Sequence, residues 1–240
     1  MQRGGDGVKV GEAVGGDVGG DLVDDIDRLG PSLYTTALIQ AAQSEPLPNG
    51  LACEVGVGSG VCLLTLALKG FNELWGCDIS PICIRATEQM LNHHAPHVTV
   101  NLQQGDLWTA FEAPVPFAAV LANLPHFPGE PAKDLRLPSW RGGDGRELMD
   151  RFLIGLPAFL APNGIALITH HDLIGLAHTE ALLESLGLQA TCVWRWTVHE
   201  NATRMASVTD KSLIDHCPTA QKIGPYWFMD SRILRISRRD

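Results

Sequence analysis

The chain has 240 residues, of which 45% are hydrophobic and 19% charged, which suits one large α/β domain or one domain with a small appendage. Its net charge of −9 and its lack of a Lys/Arg block argue against polymeric nucleic acid as a substrate. No apolar run approaches the roughly 18 residues of a membrane span and no signal segment is evident, so we expect a cytoplasmic protein that does not bind a membrane. No C-x-x-C pair indicates zinc, so we expect no metal site.

The N-terminal region is rich in glycine and aspartate. Because ordering such a segment costs much backbone entropy, residues 1–22 are expected to be flexible, with a lid over a bound ligand as the alternative. Residues 23–47 show the apolar spacing of a helix, and residues 23–240 are expected to form one domain.

From residue 50 onwards, strand-like runs alternate with segments of helical spacing, which is typical of parallel βαβ units. Ser80 before Pro81 marks one helix start, because serine caps helices and proline is favoured in the first turn. Expected strands cover 51–55, 73–77, 98–103, 118–122, 165–169, 188–196 and 232–237; expected helices cover 60–69, 81–93, 147–160 and 173–186, with a turn at 162–164. The pattern predicts a doubly wound α/β fold with a mostly parallel seven-stranded sheet and helices on both faces.

A glycine-rich turn follows the first strand, where residues 54–60 read Glu-Val-Gly-Val-Gly-Ser-Gly. Gly56, Gly58 and Gly60 would let the backbone turn tightly and approach a ligand, although such a turn alone is a weak signal. The spacing differs from the G-x-G-x-x-G dinucleotide motif. A carboxylate at Glu54 would repel a pyrophosphate and attract a cation such as the amino acid end of S-adenosylmethionine (SAM).

Acidic residues also end the next two strands. Asp78 is placed to accept hydrogen bonds from ribose hydroxyls, with Ile79 beside it. Asp106 is placed to meet the exocyclic amine of adenine, and Leu107 to contact its ring. Each carboxylate could instead cap a helix or face solvent. Together, at three successive strand ends, they predict a SAM site.

These motifs, in this order, resemble the class I SAM-dependent methyltransferases. The features that carry the resemblance are E-x-G-x-G-x-G, the acidic end of the second strand, Gly105-Asp106-Leu107 and the Asn-x-Pro that begins at Asn123. Within that superfamily the chain is similar to the release-factor glutamine methyltransferases and to related N-methyltransferases of RNA guanines and DNA adenines. The resemblance covers about residues 50–170 and implies a Rossmann-like fold.

The resemblance also implies an acceptor site after the fourth strand, where the family has Asn-Pro-Pro-aromatic and this chain has Asn123, Leu124, Pro125 and His126. In the family, the Asn and the first Pro carbonyl orient a planar amide or amine, and the aromatic ring stacks on it. Asn123 matches this pattern, whereas Leu124 and His126 depart from it, which makes glutamine or DNA-adenine methylation doubtful. His126 is interpreted as a general base, a stacking ring or a loop residue without a role.

Further candidates surround this site. Arg141, with Arg136, lies in an insert after the fourth strand and could hold a carboxylate of the acceptor. His170 is assigned to substrate binding, with His171 pointing to the other side of the fifth strand. Tyr34 could contact the SAM sulfonium through a cation–π interaction, or simply pack between helices.

The sequence therefore predicts a SAM-dependent methyltransferase, with N-methylation of a small molecule or a peptide as the first hypothesis. A second hypothesis is a SAM-consuming cyclase, similar to azetidine-2-carboxylate synthases, which releases methylthioadenosine. A SAM-binding module without turnover and an NAD-dependent oxidoreductase rank lower. The identity of the acceptor and the oligomeric state remain open.

Overall fold

A computed structural model describes residues 30–129 and 143–239, which join in one mixed sheet. The strands are β1 (Ala52–Val55), β2 (Glu73–Asp78), β3 (Thr99–Gln104), β4 (Phe117–Ala122), β5 (Leu160–His171), β6 (Leu188–Glu200), β7 (Gln221–Ile223) and β8 (Tyr226–Arg238). The helices are α1 (Leu33–Ser44), α2 (Val61–Leu68), α3 (Pro81–His94), α4 (Glu147–Phe159), α5 (Leu176–Ser185), α6 (Ala202–Ser207) and α7 (Ser212–Asp215). Short 3₁₀ turns cover Leu107–Ala110 and Asp172–Ile174.

The strand order is β3-β2-β1-β4-β5-β8-β6, with β7 paired to β8. Strands β1 to β5 are parallel, whereas β8 runs antiparallel to both β5 and β6. The chain winds outward from β1 to β3 and then returns to place β4 on the other side of β1. A crevice forms where the winding direction reverses, at the carboxyl ends of β1 and β4.

Helices cover both faces of the sheet, and each face has its own apolar core. Because side chains alternate along a strand, Ala52 of β1 joins the core beneath α1, α2 and α3, whereas Cys53 joins the core beneath α4 and α5. Trp108 stacks on Phe159 within the second core, with ring centroids 4.6 Å apart. Both faces are therefore anchored, which holds the strand ends in fixed positions.

The predicted fold class and most predicted elements are confirmed. Ser80 caps α3 by accepting a hydrogen bond from the Cys83 N–H, and Pro81 is the first residue of that helix. Three predictions are wrong in detail. The sheet has eight strands because the short β7 pairs with β8, and α6 and α7 were missed. Residues 30–32 are not helical, so the helix predicted over 23–47 starts at Leu33 in the described part of the chain, and residues 23–29 lie outside it. The turn at 162–164 lies inside β5, where the pairing register with β4 shifts.

The expected flexible segment or lid at 1–22 lies outside the described residues, as does most of the insert after β4. No helix within the described ranges is long and apolar enough to cross a membrane.

Candidate active site

The glycine-rich turn after β1 is built from left-handed backbone conformations. Gly56, Gly58 and Gly60 have φ angles of 80°, 50° and 81°. A Cβ on Gly60 would lie 2.9 Å from the backbone of Thr87 in α3, so this glycine allows α2 and α3 to pack closely. A Cβ on Gly58 would meet nothing within 4 Å. Gly60 is therefore needed for helix packing, whereas Gly58 leaves the space in front of the turn open.

Asp78 holds this turn in place. One carboxylate oxygen accepts a hydrogen bond from the Gly58 N–H at 3.1 Å, and the other accepts one from the Ser80 N–H at 2.8 Å. Each oxygen keeps a lone pair that could accept from a ligand. The carboxylate is therefore oriented by the backbone before any ligand arrives.

A cavity of about 370 Å³ lies at the carboxyl ends of β1, β2 and β4 and is called the strand-end cavity here. The predicted cofactor residues that line it are Gly56, Gly58, Asp78, Ile79, Asp106, Leu107 and Asn123. The lining does not include Glu54 or Gly60. The topology thus brings most of the predicted cofactor residues together around one space.

Glu54 lies behind the glycine-rich turn and is only 3% exposed. Its Oε2 accepts a hydrogen bond from the N–H of Leu63 in the first turn of α2, at 3.0 Å. Burial raises the pKa of Glu54 to about 8, although the bonds from Cys62 and Leu63 oppose that shift. The carboxylate therefore fixes α2 against β1, and a nearby cation would favour its ionised form.

Asp106 and Leu107 form the far wall of the strand-end cavity. Leu107 has a φ of 51°, which is uncommon for a residue with a side chain and marks a constrained backbone. Asp106 forms an ion pair with Arg151 of α4 at 2.7 Å, and both side chains are 42% exposed. Asp106, which is predicted to bind adenine, is therefore already paired with Arg151 at a solvent-exposed position.

Asn123 at the end of β4 is held from two sides. Its Oδ1 accepts a hydrogen bond from the Thr169 hydroxyl at 2.8 Å, and its Nδ2 donates to the Thr35 hydroxyl at 3.1 Å. Thr35 belongs to the first turn of α1. The orientation of the amide is therefore determined by contacts to two distant segments.

A second space of about 330 Å³ lies beside residues 123–127 and is called the loop cavity here. Asn123, Leu124 and Pro125 line both the loop cavity and the strand-end cavity. The remaining lining residues are Ser32, Tyr34, His126, Phe127, His171 and Arg204. Two spaces that meet at one oriented amide can hold two reactants side by side.

His126 is buried, and both of its ring nitrogens are bonded within the protein. Its Nε2 accepts from the His171 N–H at 3.0 Å, so Nδ1 carries the proton and donates to the Leu124 carbonyl at 2.6 Å. Burial lowers the pKa of His126 to about 4. The prediction of a partly exposed loop residue is therefore wrong. Neither ring nitrogen is free to act as a general base in this arrangement, and a role as a flat ring in the cavity wall stays a prediction.

His170 and His171 point to opposite faces of β5, as alternation along a strand requires. His171 lines the loop cavity, whereas His170 is fully buried against Thr179 of α5. The assignment of His170 to substrate binding is therefore wrong. The Nδ1 of His171 accepts from the Leu173 N–H at 3.1 Å, so its Nε2 donates to Glu200 at 3.2 Å and this ring is also neutral.

Tyr34 lines the loop cavity and not the strand-end cavity. Its hydroxyl donates to Glu200 at 3.4 Å, and its ring meets the His126 ring edge to face. Burial raises the pKa of Tyr34 to about 12, so it stays a neutral phenol. Its predicted contact with the sulfonium stays a prediction.

Several residues of the site were missed from the sequence. Thr35 and Thr169 hold Asn123, Arg204 lines the loop cavity, and the buried Glu200 lies behind it and pairs with Arg204. Only the i, i+4 spacing of Glu200 and Arg204 around Asn201, the N-cap of α6, offered a signal. Arg136 and Arg141 lie outside the described residues. Among the residues that the structure describes, no group of His, Cys, Asp or Glu side chains is suited to bind a metal ion.

No model of a known protein family matches the sequence. The chain is 28% identical over 171 residues to a Methanocaldococcus jannaschii protein named as a protein N5-glutamine methyltransferase, a match that covers 68% of this chain and 84% of that one. Among solved structures, a ribosomal protein L11 methylase of Lactobacillus delbrueckii superposes with a TM-score of 0.54 at 15% identity, covering 88% of this chain and 81% of that one. The E. cuniculi Mtq2–Trm112 complex, described as responsible for methylation of the termination factor eRF1, superposes with a TM-score of 0.52 at 20% identity. That match covers 88% of this chain and 98% of the other chain.

Proposed function

Because the chain belongs to the class I SAM-dependent methyltransferase superfamily, near its glutamine methyltransferase-like group, we propose that it methylates the NH₂ nitrogen of a primary amide on a peptide or small molecule. The observation that carries this proposal is the position of Asn123, an oriented amide at the junction of the strand-end cavity and the loop cavity.

The strand-end cavity fits the methyl donor. Asp78 presents a preoriented carboxylate, Ile79 an exposed apolar surface and Gly58 a backbone without a side chain in the way. These residues would hold the nucleoside, and Glu54 behind the turn would favour the cationic amino acid end. SAM bound there supplies an electrophilic methyl group.

The loop cavity fits an NH₂ group. Oδ1 of Asn123 and the carbonyl of Leu124 each accept one hydrogen bond within the protein, and each keeps a lone pair. A primary amide donates two hydrogen bonds in its own plane, so it matches two such acceptors. The rings of Tyr34 and His126 both line the cavity and meet edge to face, so one of the two can lie against a planar group. Because orientation is most of what this transfer requires, these contacts account for catalysis.

The described wall of the loop cavity offers no general base. His126 and His171 are neutral rings whose nitrogens are bonded within the protein, and Tyr34 stays protonated. The residues of the site therefore orient the acceptor nitrogen, and its proton leaves to water.

The relatives favour a peptide acceptor. The M. jannaschii relative is named for N5-glutamine methylation, and the E. cuniculi neighbour methylates a protein. The side-chain amide of glutamine offers the two donors that Asn123 and Leu124 would receive. A peptide glutamine is therefore the first acceptor to test, in spite of the departures at Leu124 and His126. The cyclase alternative needs no acceptor, whereas the loop cavity provides room for one.

The deciding experiment incubates the full chain with SAM, with and without glutamine-containing peptides, and identifies the nucleoside product by mass spectrometry. We expect S-adenosylhomocysteine only when a peptide is present, with the methyl group on the glutamine side chain. Asn123→Ala should abolish transfer, and calorimetry should establish whether that variant still binds SAM. Methylthioadenosine formed without acceptor would overturn the proposal in favour of the cyclase.

A further inference from the structure

Arg204 is the charged side chain of the loop cavity. Among the described residues that line this cavity, the other members are neutral, including His126 and His171. A mostly apolar pocket with one charged group uses that group to select its ligand.

The guanidinium of Arg204 is held in place before any ligand binds. It lies 4.0 Å from the centroid of the Phe127 ring, in a cation–π contact, and pairs with Oε2 of Glu200 at 3.1 Å. Its backbone N–H bonds to the Asn201 cap at 2.9 Å, which fixes the start of α6. A preoriented group loses little conformational entropy when it binds.

The pair with Glu200 leaves much of the hydrogen-bonding capacity of Arg204 unused. Glu200 is buried and its Oε1 receives hydrogen bonds from Tyr34 and His171, whereas its contact with Arg204 is an ion pair at Oε2 without hydrogen-bond geometry. A guanidinium carries several N–H donors, and the Nε of Arg204 is buried without a hydrogen-bond partner in the described part of the chain. The side chain remains 28% exposed, so its outer edge is available to a ligand.

We infer that Arg204 binds a carboxylate of the acceptor, close to the nitrogen that is methylated. This inference rests on the proposed function and narrows it to acidic acceptors. A planar guanidinium matches a carboxylate in geometry and charge. Because the loop cavity holds only about 330 Å³, the carboxylate must lie within a residue or so of the methylated amide. The carboxylate belongs either to a Glu or Asp beside the glutamine of a peptide or to free glutamine itself.

The test compares three acceptors: a peptide with Glu beside the target glutamine, the same peptide with Gln in place of that Glu, and free glutamine. The wild type should methylate the acidic peptide with a kcat/KM about tenfold above that of the amide peptide, which is about 1.4 kcal/mol. A preference for free glutamine would assign the carboxylate to an amino acid. Equal rates for the two peptides, with no turnover of free glutamine, would overturn the inference.

Matched variants separate recognition from folding. Arg204→Met should make kcat/KM equal for the two peptides, and Arg204→Lys should restore part of the preference for the acidic peptide. Arg195→Met removes an exposed arginine outside the loop cavity and should keep the ratio between the two peptides. If Arg204→Met lowers both rates alike and leaves the ratio unchanged, Arg204 only supports the fold and the inference is wrong.

A binding measurement makes the inference testable without turnover. Calorimetry on the wild-type chain saturated with S-adenosylhomocysteine should show tighter binding of the acidic peptide than of the amide peptide. If no acceptor is methylated but this difference appears, the proposed reaction fails and the carboxylate site stands. If the peptides bind alike, the carboxylate site fails, whatever the reaction.

Discussion

Thr169 donates a hydrogen bond from its side-chain hydroxyl to Oδ1 of Asn123 at 2.8 Å, linking the ends of two neighbouring parallel strands. Thr169 is fully buried, and Asn123 sits where the strand-end cavity and the loop cavity meet. This hydroxyl therefore helps to determine which way the Asn123 amide faces.

Replacing Thr169 by valine should impair the reaction more than the fold. The change keeps the shape of the side chain and removes the donor, which costs about 1 kcal/mol of stability. We expect kcat to fall about tenfold, because the acceptor nitrogen is less well oriented, while the affinity for SAM stays within about twofold. Steady-state kinetics and SAM calorimetry check this. Thr169→Ser retains the hydroxyl and should recover most of kcat; equal losses in both variants would contradict the role.

Glu54 should make the stability of the ligand-free protein fall as the pH rises. Its folded pKa of about 8 lies above the usual value of 4.5, so the native state binds more protons than the unfolded state between these pH values. The stabilisation is complete below about pH 4.5 and is lost as the pH approaches about 8. Thermal melts from pH 5 to 8 measure this trend.

The matched variant for this trend is Glu54→Gln, which cannot ionise. Its melting temperature should vary less over the same pH range, and it should bind SAM more weakly because the neutral amide does not attract a cation. A variant with the wild-type pH trend would show that another group is responsible.

His126 should produce the opposite trend in acid. Its folded pKa of about 4 lies below the usual 6.5, so the unfolded state binds more protons between these values. Its contribution to stability is present above about pH 6.5 and is lost as the pH falls towards 4. His126→Phe removes the titrating group and should weaken that part of the acid transition. The variant should also lower overall stability by about 1–3 kcal/mol, because the buried His171 N–H loses its acceptor. Thermal melts of both proteins in acid provide the measurement.

Gly60 and Gly58 offer a matched pair within the turn. Gly60→Ala should destabilise the protein by a few kcal/mol, because the new Cβ would collide with Thr87 and the backbone is left-handed. Gly58→Ala meets open space, so it should cost only about 1 kcal/mol of strain while weakening SAM binding at the cavity wall. Denaturant titration and SAM calorimetry compare the two. The prediction fails if Gly58→Ala is the less stable variant.

The exposed pair between Asp106 and Arg151 should matter little for stability. Such pairs contribute about 0–1 kcal/mol, so Arg151→Ala should shift the melting temperature by no more than about 3 °C. It frees the carboxylate, so SAM should bind as well or slightly better. Asp106→Ala should instead weaken SAM binding at similar stability. If both variants bind SAM like the wild type, Asp106 takes no part in the site.

The local signals in the sequence were sufficient for the central elements. Short apolar runs, separated by segments of helical spacing, located β1 to β5. Ser80 with Pro81 located the start of α3. The polar ends of β2 and β4 converge because parallel strands share one carboxyl edge, which placed Asp78 and Asn123 at a common cavity. The hairpin of β7 and β8 escaped prediction because β7 has only three residues, too few for a periodic pattern.

What the sequence determined by itself was the resemblance to the superfamily, which rests on short motifs. It also determined the sheet with its crevice and the glycines and carboxylates around the strand-end cavity, because these depend on short-range periodicity or on a turn. Only the tertiary structure decided the loop cavity. Packing of distant elements decides that His171, and not His170, lines this cavity, and that the ring nitrogens of His126 and His171 are hydrogen-bonded within the protein. It also decides that the Asn123 amide is held by Thr35, 88 residues away. Residue spacing carries no information about such contacts, since they form only when the helices and strands have met.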